Sequence, residues 1–61
     1  MNYVTTTGLS FQIRPIRLNG NGYIAVANAE DHDVTVNMRR PWANERLAIA
    51  AIIRKIERTF A

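Results

Sequence analysis

The C-terminal stretch from Arg39 to Ala61, RRPWANERLAIAAIIRKIERTFA, constrains this chain more than any other feature. It is the one segment long and periodic enough to demand a single kind of secondary structure. Trp42, Ile49, Ile53, Ile56 and Phe60 recur at seven, four, three and four residues. At about 3.6 residues per turn these positions form one apolar stripe, widened by Ile52. Pro41 suits a first helical position, where its missing N–H would have had no partner anyway. The spacing predicts a helix over 41–60. Its stripe has to be buried, and the residues upstream must supply the cover.

Sixty-one residues make one domain at most, 1–61. A chain of this size buries only about 60% of the surface its unfolded form exposes. There is no cysteine, so neither a disulfide nor a thiolate metal site can reinforce the fold. Extra stability has to come from tight packing, a partner or a second copy. The hydrophobic fraction, 48%, is that of a globular chain. The longest apolar run, Leu47 to Ile53, is too short for a membrane span. MNYVTTTG lacks the basic start and apolar block of a secretion signal, so a soluble, cytoplasmic protein without membrane contact is expected.

The upstream residues read as strands. Residues 1–10 are an arm or an edge strand: NYVTTT is β-prone but weakly patterned, and Gly8 and Ser10 mark a break. In FQIRPIRL, residues 11–18, Phe11 and Ile13 share one parity and Ile16 and Leu18 the other. A β-bulge near Arg14-Pro15 would bring all four inward and leave Gln12, Arg14 and Arg17 outside. Asn19-Gly20-Asn21-Gly22 holds the hairpin dipeptide Asn-Gly twice. It lacks the Lys-Ser/Thr of a phosphate loop, and no helix follows it. YIAVANA, residues 23–29, forms the return strand, with Ile24 and Val26 on one face and Tyr23, Ala25 and Ala27 on the other. After the polar turn Glu30-Asp31-His32-Asp33, residues 34–39 alternate with Val34, Val36 and Met38 inward.

The fold expected is α+β: a three- or four-stranded antiparallel sheet over 11–39, backed by one C-terminal helix in the order β-β-β-α. The helix covers one face. The open face is expected to carry Gln12, Arg14, Arg17, Tyr23, Ala25, Ala27, Thr35, Asn37 and Arg39, although pattern alone does not fix which face of 23–29 meets the helix.

Seven arginines and one lysine against five acids give a net charge of +3, and three of those acids fall within Glu30 to Asp33. The rest of the surface is therefore more basic than the total suggests. Arginine's planar donor fork suits phosphate, carboxylate and aromatic partners. The candidate partner-binding residues are Arg14, Arg17, Tyr23, Asn37, Arg39, Arg40, Trp42, Leu47, Arg54 and Arg58. Each has a plainer role as well. Polar residues are normal on a wet sheet face. Cations at a helix C-terminus offset its partial negative charge. Trp42 can close the end of the core. Leu47, with Ala48, Ala50 and Ala51, suggests a smooth outer helix surface suited to a dimer or a partner. Asp31-His32-Asp33 is the one cluster with catalytic or metal-binding residue types, but neighbours in a turn point apart and no second histidine exists.

After the Asn-Gly turn, Gly22-Tyr23-Ile24-Ala25-Val26 followed by a later helix is similar to the β-β-β-α half of HicB-type antitoxins. The Leu-Pro-Gly segment usual after their second strand is absent; Asn28-Ala29-Glu30-Asp31 stands there instead. In size and order of elements the chain also looks like small integrase arm-binding domains and small phage-encoded inhibitors.

No catalytic, cofactor or metal site emerges, and so short a chain can hardly enclose a substrate pocket of about 300 Å³. The expectation is a small non-enzymatic regulatory or inhibitory protein that occupies a surface of a larger protein, and a homodimer is compatible with it. The alternative is a DNA- or RNA-binding module that presents its arginines on the open sheet face, where Arg reads guanine and Asn or Gln reads adenine.

Overall fold

The computed structural model describes residues 1–20, 22–30, 32–35 and 41–60. Among these residues four strands, β1 (Asn2–Val4), β2 (Ser10–Leu18), β3 (Gly22–Ala29) and β4 (His32–Thr35), precede one helix, α1 (Glu45–Phe60). The strands pair antiparallel in the order β1-β2-β3-β4. The α+β meander expected from the sequence is therefore what forms, with the N-terminal residues supplying the fourth strand. No described helix is long and apolar enough to cross a membrane.

Register decides the two faces. The Asn-Gly turn joins Leu18 to Gly22, and from there Arg17 pairs with Tyr23, Pro15 with Ala25 and Ile13 with Ala27. The ladder runs without interruption through Arg14-Pro15. The expected bulge is absent, so the parity of β2 never changes. Phe11, Ile13, Pro15 and Arg17 share one face, and Gln12, Arg14, Ile16 and Leu18 share the other.

The helix lies over the first of these faces. Phe11, Ile13, Ala25 and Ala27 are buried there beneath Ala48, Ile52 and Ile56, with Val34 from β4 at the edge. This corrects the expectation that Ala25 and Ala27 are outside. Small side chains let the helix approach β3 closely, and Ala48 repeats the device on the helix itself. Phe11, Ile13, Ile52 and Ile56 fill the space on either side and are fully buried.

The helix begins later than Pro41. Asn44 is its cap: the Asn44 Oδ1 accepts the Leu47 N–H at 2.9 Å, satisfying a donor that has no partner within the helix. Trp42 lies outside the helix because Tyr23 takes both of its backbone groups, at 2.7 and 2.8 Å. The buried stripe is accordingly Ala48, Ile52 and Ile56 with Ala51, flanked by half-buried Ile49, Ile53 and Phe60. Ala48 and Ala51 therefore do not belong to a smooth outer surface. The fourth strand starts at His32, two residues before the expected Val34; residues 36–39 of that expected strand lie outside the described residues.

Candidate binding surfaces

The ten candidate residues do not share one surface. Asn37, Arg39 and Arg40 lie outside the described residues. The other seven fall into three groups, each positioned by a different element.

The first group is a row at the hairpin end of the sheet. Arg17 pairs with Tyr23, and Tyr23 in turn bridges to Trp42. Three residues from three segments of chain thus stand side by side. Tyr23 and Trp42 are half-buried against the core, and Arg17 is exposed. Gly22 permits the approach. Its φ of +94° is open to glycine, and an added Cβ would come within 2.5 Å of the Trp42 carbonyl oxygen. The row therefore depends on a turn residue that carries no side chain.

The second surface is the sheet face opposite the helix. Arg14 stands here, apart from Arg17, because the ladder has no bulge. Arg14, Ile16, Val26, Asn28 and Asp33 line a hollow of about 260 Å³. Ile16 is 39% exposed, where a bulge would have put it inside. Arg14 and Asp33 are the only charged residues on this face among the described strand positions, and neither has an ion-pair partner among the described residues. Asp33, Asn28 and Val26 were not among the sequence candidates. Unbroken alternation along β2 and β3 was the signal that would have found them.

The third group is on the outside of the helix. Leu47, Arg54 and Arg58, seven and four residues apart, make an exposed strip, and Leu47 is 46% exposed. Arg58 stands in the last turn, where a cation offsets the helix's terminal partial charge.

Far from the hairpin, the N-terminal strand is fastened to the end of the helix. The Tyr3 hydroxyl donates to the Glu57 carboxylate, and the Thr6 hydroxyl reaches the other oxygen of that group at 3.5 Å. The Thr7 hydroxyl donates to the Phe60 carbonyl at 3.0 Å, capping a helix-terminal acceptor. Thr5 is buried; its hydroxyl accepts the Leu9 N–H at 3.0 Å and so closes the turn between β1 and β2. The ring of Phe60 packs on His32 at 4.8 Å and on Phe11 at 5.4 Å. The bond to Glu57, together with burial and the negative charge of that carboxylate, raises the Tyr3 pKa above its ordinary value. His32 thus serves packing and faces the helix, whereas its neighbour Asp33 points to the open face; Asp31 lies outside the described residues. This arrangement is structural in character, and the sequence signalled it only as a run of three threonines before Gly8.

No family model, no curated protein and no solved structure matches the chain.

Proposed function

We propose that this chain is a small non-enzymatic binding protein that regulates or inhibits a larger protein by occupying its surface, and that Arg17, Tyr23 and Trp42 are its contact row. The observation that carries this reading is the alignment of the three residues through consecutive backbone pairings. Arg, Tyr and Trp dominate interface hot spots because they combine large contact area with directional polar groups. Tyr23 and Trp42 are half-buried, so they are already held in place and lose little freedom on binding. Leu47 and Arg54 on the helix are a second patch available to the same partner.

The nucleic-acid reading needs its arginines on one face. The register counts against it, since Arg14 and Arg17 stand on opposite faces.

Two measurements test the proposal. Wild type and Arg17→Glu are used as paired baits in an extract of the source cells, with Glu30→Lys, at an exposed turn residue outside both patches, as a surface control. A protein held by wild type and by the control, but lost with Arg17→Glu, is the expected partner. Equal capture by all three removes the row from the interface. Titration of a labelled DNA duplex at low and higher salt then separates the two classes. If four arginines met phosphates, affinity would fall roughly 100-fold between about 50 and 200 mM salt. The expected outcome is no duplex binding at micromolar protein.

A further inference from the structure

We infer that the open face of the sheet docks a second copy of this chain, across a two-fold axis that sets Arg14 of each copy against Asp33 of the other. The inference concerns the face opposite the Arg17–Tyr23–Trp42 row and does not depend on that row's role.

Three observations carry it. The first is charge. Arg14 on β2 and Asp33 on β4 are out of register: Arg14 pairs with Val26, while Asp33 pairs with Asn28. They flank β3 diagonally. A two-fold axis in the plane of contact exchanges any two points that it bisects. Opposite charges at two such points make the face complementary to a copy of itself, and each contact then occurs twice. Neither group has an ion-pair partner among the described residues of its own chain, so both are available.

The second observation is shape. The hollow of about 260 Å³ lies between these two groups, above Val26 and Asn28. It gives the Arg14 side chain of the other copy room to reach Asp33, with its aliphatic stem against Val26 and Ile16. Ile16 at 39% exposure and Val4 at 60% are apolar side chains on this face that a second sheet would cover.

The third is the small size of the chain, 61 residues. A chain that buries so little surface alone gains most from the second copy.

The test is association measured by sedimentation equilibrium over a wide concentration range, with far-UV spectra confirming that each variant is folded. The mass of wild type should rise from 6.9 kDa toward twice that value. Arg14→Glu and Asp33→Lys should each weaken association about 10-fold or more, because each turns both symmetric attractions into repulsions. Mixing the two variants is the decisive step. The Arg14→Glu chain keeps its native Asp33, and the Asp33→Lys chain keeps its native Arg14. In the mixed dimer one cross-chain contact joins those two native residues, and the other joins the new glutamate to the new lysine. Both attractions re-form, and association should return to within a few-fold of wild type. If either variant fails to fold, Arg14→Gln and Asp33→Asn replace the pair, and each should still weaken association. A mass fixed at 6.9 kDa up to millimolar protein overturns the inference. So does a mixture that stays as dissociated as its components, or variants that associate as wild type does.

Discussion

The two faces of this sheet invert the ordinary expectation about which apolar residues meet the helix. Toward the helix, β3 presents Ala25 and Ala27, both essentially inaccessible. Away from it, β3 presents Ile24, which is buried, and Val26, which is half-buried; these are the larger and more strand-prone side chains. Side-chain size therefore does not identify the inner face. What identifies it is the parity shared with Phe11 and Ile13, and the need for a helix to come close to the central strand. Large residues on β2 and on the helix fill the flanks, and alanines on β3 and the helix make the crossing tight.

The comparison can be broken most forcefully by truncating one large residue on each face. Phe11→Ala should cost about 3–5 kcal/mol, the range for an aromatic removed from a closed core. Ile16→Ala on the open face should cost less than about 1 kcal/mol in dilute protein. Urea denaturation followed by far-UV circular dichroism compares them directly, and similar losses would mean that the second face is covered too.

Enlarging neighbouring residues of β3 sharpens the same contrast. Ala27→Leu should destabilise by about 1–3 kcal/mol, since the added carbons meet the helix. Val26→Leu, one position along, should stay within about 0.5 kcal/mol. The reverse order would place the helix on the wrong face.

Removing the helix cap tests an element that belongs to neither face. Asn44→Ala should cost about 1 kcal/mol, and Asn44→Asp should retain most of the stability because its side chain still accepts the Leu47 N–H. A full loss with aspartate would show that the amide has a second role there.

The smallest effect should come at the fastened end, as a pH dependence. The Tyr3 pKa is raised in the folded protein, chiefly by donation to Glu57. A raised value means that the folded state favours the protonated phenol. Its contribution is fully present below the ordinary tyrosine value of 10.0 and is lost as pH rises through the folded value. The stability advantage of wild type over Tyr3→Phe should therefore be constant from neutral pH to about 10 and shrink above it. An advantage that persists through strongly alkaline conditions would contradict the bond to Glu57.

Local chemistry made much of this architecture legible. The tandem Asn-Gly dipeptides marked the hairpin, and the strands over 10–18 and 22–29 fell within a residue of where alternation put them. Helical periodicity found the sixteen residues of α1. Each of these signals is carried by neighbours in the sequence. The candidate surfaces were less legible. The type of residue was visible, since Arg14, Arg17, Tyr23 and Trp42 all stood out by their chemistry. Their grouping was not, because it depends on cross-strand register, and one supposed bulge at Pro15 was enough to place Arg14 and Arg17 on the same side.

What the sequence alone determined is thus the order and nature of the elements, since turns, alternation and helical period are properties of short stretches. The tertiary structure decided which side of β3 meets the helix, where the helix starts and what holds the N-terminal strand. The alanine face wins because only a helix already in place makes close approach worth more than side-chain size. Trp42 stays out of the helix because Tyr23, nineteen residues away, takes both its backbone groups. Thr6 and Thr7 become a fastening because the chain's far end brings Glu57 and the Phe60 carbonyl to them.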